Sequence, residues 1–203
     1  MQPPGVAELV ARVVKVEGPV HRDIVVQRVR SSFGLKRAGK NVEAAVEAGV
    51  EAAIRAGKVK RTGVFLWPPS PPKVLVRRRG DEVQPAIEYI CDEEIAAAAV
   101  LVLRTQFATD RDELAAQALR VLGFGRAKSE TKNRVLGVID GLVDRGVAVQ
   151  QIDGLIDLDE SARSAGGNGR VPSVDSEGQA TLHLPPPLNF TIPFATIRVT
   201  ACQ

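Results

Sequence analysis

The sequence predicts a mainly α-helical chain with small β-hairpins, built as two tandem units that each carry three helices and a C-terminal hairpin. Three observations point there. Apolar residues recur at helical spacing in successive segments that glycine tends to close. Each set of three such segments is followed by a short alternating stretch folded about a turn. Aromatics make up only 4% of a chain that is 44% apolar, so its cores must be Val, Ile, Leu and Ala. That composition suits helices meeting through small side chains better than a sandwich of sheets.

The first helix is read over Gly5 to Glu17, where Val6, Leu9, Val10, Val13 and Val14 share a face and Gly18-Pro19 stops the run. The second spans Arg22 to Phe33, with Ile24, Val25, Val29 and Phe33 on or near one side and Gly34 behind it. A third runs from Asn41 to Ala56 on the stripe Val42, Val46, Val50, Ala53 and Ile54, and Gly57 ends it. Lys58 to Trp67 then offers two short strands about Thr62-Gly63, closed by Pro68 and Pro69. Three helices and a hairpin in this order are a winged-helix layout.

Pro68 to Pro72 reads as a stiff linker, and Lys73 to Gly80 as a short strand with a basic end. From Asp92 the plan restarts, with helices to about Phe107, from Asp110 to Leu122 and from about Glu130 to Arg145, and a hairpin over Val147 to Leu158. The Ala-rich run Ile95 to Leu103 reads as buried. A shift of 89 residues aligns Arg22–Gly57 with Arg111–Gly146 without a gap, with seven identities in 36 positions that include Arg22 with Arg111, Gly34 with Gly123, and Gly57 with Gly146. The two units therefore read as a duplication. The expected divisions are a basic winged-helix-like unit over 1–68, a linker with a basic strand over 69–85, an acidic unit over 86–159 and a disordered tail over 160–203, rich in Ser, Gly, Asn and Pro. Within that tail Leu188 to Val199 alternates enough for a strand, which Pro193 would confine to a sheet edge.

Charge divides the chain more sharply than the net value of +3 suggests. Residues 1–80 hold 16 Lys and Arg against 6 Asp and Glu, a balance of +10, which leaves 11 against 18, or −7, for residues 81–203. The first part is suited to phosphates and the second is not. Two distant cysteines, Cys91 and Cys202, and two histidines supply neither a disulfide framework nor a zinc cluster. With no apolar run of membrane-spanning length and no secretory leader, the expected location is cytoplasmic.

The residues Val16-Glu17-Gly18-Pro19-Val20-His21, Phe33-Gly34-Leu35-Lys36-Arg37-Ala38-Gly39 and Gly63-Val64-Phe65-Leu66-Trp67-Pro68 resemble a bacterial domain of unknown function. That domain lies at the C-terminal end of large proteins combining a superfamily I helicase with a Vsr-like endonuclease. The likeness extends through Leu122-Gly123-Phe124-Gly125-Arg126 and covers roughly residues 5–158. It implies a non-catalytic part in DNA processing, with anti-phage defence as the associated setting. The chain departs from that family in starting at Met1 with neither helicase nor nuclease before the first unit, which fits a fragment, a degraded gene or a stand-alone relative.

The third helix of the first unit is a poor reading head, because Glu43, Glu47 and Glu51 would be repelled in a groove lined by phosphates, and alanines read little beyond a thymine methyl. The expected phosphate contacts lie around it: Lys36, Arg37 and Lys40 before the helix, Lys58, Lys60 and Arg61 in the hairpin, and Arg77, Arg78 and Arg79 after the linker. Ala44, Ala48, Glu51 and Ala52 are the expected protein-contacting face, since small residues let another helix approach closely. His21 reads as a helix cap or a surface histidine, Cys91 as a buried thiol and Trp67 as a core seal beneath the hairpin. Asp92-Glu93-Glu94 reads as dipole-complementing acids that open a helix. The sequence predicts no catalytic residue, metal, cofactor or small-molecule substrate. The expected partners are double-stranded DNA and a helicase-nuclease protein or a second copy. A protein-interaction scaffold and a dimeric winged-helix transcriptional regulator are the other readings.

Overall fold

The computed structural model describes residues 3–35, 39–70, 74, 76–78, 86–164, 180–184 and 195–201. It is mainly helical, with small antiparallel strands. The chain divides into two units, Met1–Pro72 with Tyr89–Cys91, and Lys73–Glu88 with Asp92–Gln203.

The first unit runs α1 (Pro3–Glu17), β1 (Val20–His21), α2 (Arg22–Ser32), α3 (Lys40–Arg55), β2 (Lys60–Thr62) and β3 (Phe65–Trp67). The strands form one sheet in the order β1-β3-β2, both pairings antiparallel, with Val20 opposite Leu66 and Arg61 opposite Leu66 from the other side. The core is valine-rich: Val6, Val10 and Val14 from α1 meet Val25, Val26 and Val29 from α2 and Val46, Val50 and Ala53 from α3, with Leu66 beneath them. Helices α1 and α3 come together at Gly49, where an added Cβ would stand 2.6 Å from Val6 Cγ1. Phe33, expected on the apolar stripe of α2, is instead 45% exposed, because it falls at the helix C-cap, where the backbone has left helical geometry.

The second unit contains α4 (Asp92–Gln106), α5 (Arg111–Val121), α6 (Ser129–Asp144), and the hairpin β5 (Ala148–Gln150) and β6 (Ile156–Leu158). Helix α4 is buried along Glu94–Val100, Val102 and Leu103, as the run Ile95 to Leu103 predicts. Each of α4, α5 and α6 begins and ends 89 residues after α1, α2 and α3 respectively. In place of β1 the unit has a single bridge between Thr109 and Ile156, at the position 89 residues after Val20.

The helix ends repeat as well. Gly34, Gly57, Gly123 and Gly146 all have positive φ, of 66°, 66°, 94° and 68°. At each, the glycine N–H and the next N–H turn back onto the last helical turn, as in Gly57 N to Ile54 O at 2.9 Å with Lys58 N to Ala53 O at 2.9 Å, and Gly146 N to Val143 O at 2.9 Å with Val147 N to Leu142 O at 2.9 Å. This paired closure satisfies carbonyls that the helix leaves open and needs a left-handed residue, hence glycine.

Residues expected to be linker or disordered tail also contribute structure. The basic strand is β4 (Val76–Arg78), which belongs to the second unit and not to a linker. A short helix α7 (Glu160–Ser164) and strands β7 (Ala180–Leu184) and β8 (Ala195–Ala201) follow the hairpin. Their sheet has the order β4-β8-β7, with β8 parallel to β4 and antiparallel to β7. The expected edge strand over 188–199 therefore becomes a central one. It begins at Ala195, past Pro193, so the missing proline N–H no longer bars both sides from pairing.

Candidate functional site

The charged surface of the first unit is built from the start of α2, the exposed side of α3 and the strand β2. Helix α2 opens on His21, whose Nδ1 accepts a hydrogen bond from the Asp23 backbone N–H at 3.1 Å, so His21 serves as its cap. Its ring meets Phe65 and Tyr89 edge-on, with centroids 5.3 and 4.7 Å away. The next residue, Arg22, reaches α3 and donates from Nε to Glu47 at 2.8 Å. Strand β2 approaches the same carboxylate from another direction, with Arg61 Nη2 2.6 Å from Glu47 and Nη1 3.3 Å from Glu51. Two guanidinium groups thus converge on Glu47. Its carboxyl is raised by partial burial but lowered further by the hydrogen bonds from Arg22 and Arg61, and the net shift is below the ordinary value.

The nine expected phosphate contacts separate into groups. Lys36, Arg37 and Arg79 lie outside the described residues, and of Arg78 only the backbone is described. Lys40, on the first turn of α3, and Lys60, on β2, are exposed, and among the described residues no carboxylate lies within ion-pairing distance of either. Lys58 pairs with Glu8 at 2.7 Å, and that hydrogen bond, with the attraction of the ammonium, lowers the Glu8 carboxyl. Arg61 is paired as described. Arg77 is half-buried, and its backbone N–H donates to the buried carboxylate of Glu94 at 3.0 Å, which ties β4 to α4. Among the expected protein-contacting residues, Ala44, Ala48 and Glu51 are exposed and Ala52 is half-buried.

Sequence reading treats Arg22 and Arg111 as one identity of a repeat, whereas both are anchors. Arg111 opens α5 and grips Asp140 on α6 with two bonds, Nε at 2.7 Å and Nη2 at 2.6 Å. The acidic partner lies one helical turn later in the second unit, since Asp140 corresponds to Glu51 and not to Glu47 in the 89-residue frame. An identical basic residue at both helix starts, facing a third helix rich in carboxylates, is the signal that marks the pairs. Two further acids of the second unit are similarly engaged: Asp112 binds Lys132 at 2.6 Å and Asp92 binds Arg134 at 3.0 Å.

Trp67 and Cys91 are buried, as their sequence context suggests. Gly123-Phe124 closes helix α5, with Phe124 N donating to Leu119 O at 2.8 Å. Among the described residues no group of three or more His, Cys, Asp or Glu is placed to hold a metal ion, and no helix is long and apolar enough to cross a membrane.

No curated protein and no solved structure matches the chain. Residues 2–44 match the model of a family described as a protein of unknown function, DUF3320, a stretch that runs from α1 through β1 and α2 into the first turn of α3.

Proposed function

We propose that the chain is a non-catalytic accessory module whose first unit is a winged helix that grips duplex DNA by its phosphates with little regard to sequence. The observation that carries this reading is the balance of the first unit, 12 Lys and Arg against 6 Asp and Glu or +6 over residues 1–72, together with Lys40 and Lys60 exposed without a carboxylate partner among the described residues. The element order α1-β1-α2-α3-β2-β3 and the sheet order β1-β3-β2 support the winged-helix assignment, with β2–β3 as the wing. The matching helix frame of the second unit supports a duplication in which the second copy serves another purpose. A helicase-nuclease partner, a role in defence and a cytoplasmic location belong to the same proposal and rest on the family resemblance.

Pairing within the unit narrows the contact set. Lys58 and Arg61 are held by Glu8, Glu47 and Glu51, so the resting grip falls to Lys40 and Lys60, with Lys36 and Arg37 preceding Lys40 in sequence. Titration of a labelled ~20-base-pair duplex at rising salt tests it. Each phosphate contact contributes about 0.9 to the slope of log K against log salt. Lys40→Glu with Lys60→Glu is expected to weaken binding at least tenfold at low salt and to make the slope shallower by about 1.8. An unchanged slope would remove both residues from the interface.

A protein-interaction scaffold is the second reading, and the partly matched charge on α3 favours it. Ala44 and Ala48 stand exposed on the helix whose Glu47 and Glu51 are already paired with Arg22 and Arg61, which lessens the repulsion a neighbouring helix would meet. Absence of DNA binding in low salt, with recovery of a defined stoichiometric complex with a helicase-nuclease protein, would select it.

A further inference from the structure

We infer that Glu47 and Glu51 on α3 hold the wing arginine Arg61 in competition with a phosphate, so that Arg61 is a conditional DNA ligand released only when a stronger anion displaces the two carboxylates. This rests on the phosphate-gripping reading of the first unit and adds to it a device that limits the grip. The geometry is a two-sided clasp. Arg61 presents Nη2 to Glu47 at 2.6 Å and Nη1 to Glu51 at 3.3 Å, so both outer nitrogens of the guanidinium face acceptors on one helix. Glu47 and Glu51 are one turn apart, which is the spacing a forked guanidinium can bridge.

The clasp is well anchored yet open to exchange. Glu47 is fixed from its other oxygen by Arg22 Nε at 2.8 Å, so α3 does not have to reorganise when Arg61 leaves. The side chains of Arg61, Glu47 and Glu51 are 31%, 34% and 48% exposed, so solvent and a polyanion can reach all three. An ion pair this exposed is weak, and a surface lined with phosphates competes with it. Lys60, the neighbouring residue on β2, has no such partner among the described residues, so the two adjacent cations of the wing differ in availability. The second unit lacks the device, because Arg61 corresponds to Gln150 in its hairpin, while Asp140, the counterpart of Glu51, is bound by Arg111.

The test is DNA affinity as a function of salt for the full chain and three variants. Glu47→Gln with Glu51→Gln is expected to bind a labelled duplex up to about fivefold tighter at low salt, the upper limit for release of one exposed pair. Its slope of log K against log salt should be steeper by about 0.9, the mark of one added phosphate contact. Adding Arg61→Gln to that pair should return both quantities to the values of the Arg61→Gln single variant. A gain that persists without Arg61 would mean that the carboxylates only repel DNA or restrain Arg22, and the inference falls. A wild-type chain that binds but gains nothing from the double change overturns the clasp and leaves the DNA reading standing. Absence of binding in wild type and double variant alike overturns both. Far-ultraviolet circular dichroism on each variant separates these outcomes from loss of the fold.

Discussion

At the scale of single residues, Glu47 is the point where stability and surface charge meet. Its carboxyl lies below the ordinary 4.5 because the bonds from Arg22 and Arg61 outweigh the effect of partial burial. A group depressed in the folded state contributes stability in full above its unfolded value, and loses it as the pH falls through the folded one. The side chain is about a third exposed, so solvent screens the pair and the contribution is on the order of 0.5–1 kcal/mol. Glu47→Gln is therefore expected to lower the urea unfolding free energy by that amount at pH 7 and by less near pH 3. A deficit that stayed the same at both values would assign the loss to packing and not to charge. The participation of Glu47 was half legible: its place on a helix with Glu43 and Glu51 is plain in the sequence. Its two partners come from residues 25 and 14 positions away, and only the folded chain brings them together.

At the scale of elements, the helices were legible because their punctuation is local. Valine spacing gives the buried faces of α1 and α3, and glycine with positive φ gives four helix ends, each within a residue or two of the expected boundary. Strand β1 was not legible, since two residues carry no periodicity and Val20–His21 become a strand only by lying against Phe65–Leu66. The bridge at Thr109 is hidden for the same reason. Two kinds of glycine should separate in experiment. Gly57 has open space around its missing side chain, so Gly57→Ala carries only the left-handed backbone penalty, about 1 kcal/mol. Gly49 has ordinary helical geometry, where alanine is the better helix former, but the added methyl would collide with Val6. Gly49→Ala is expected to cost about 1–3 kcal/mol through overpacking of α1 on α3. Trimming the obstacle with Val6→Ala should recover part of that loss in a double-mutant cycle, whereas Gly57→Ala should show no coupling to position 6. Full additivity at positions 49 and 6 would contradict the contact.

At the scale of the whole molecule, the two units keep one helix frame while their surfaces diverge. The helices recur at an offset of 89 residues, yet Lys36, Lys40, Lys58 and Arg61 of the first unit stand against Gly125, Ser129, Val147 and Gln150 of the second. Sequence alone shows this divergence, because charge needs no folding to be counted. What it hides is how much of the charge is already matched within each unit. A DNA-binding surface that depends on net charge would respond equally to any loss of cations, whereas one that depends on local field would respond by position. Lys40→Glu with Lys60→Glu, and Arg126→Glu with Lys128→Glu, each take the net charge from +3 to −1, and all four residues are exposed. Arg126 is the counterpart of Arg37 in the repeat frame, so the second pair changes the equivalent loop of the acidic copy. The first pair is expected to weaken duplex binding at least tenfold and the second less than threefold, because the field about the second unit is already negative and phosphates do not gather there. Equal losses from the two pairs, measured in the same buffer, would show that the chain answers to its total charge and that the division between its halves has no bearing on DNA.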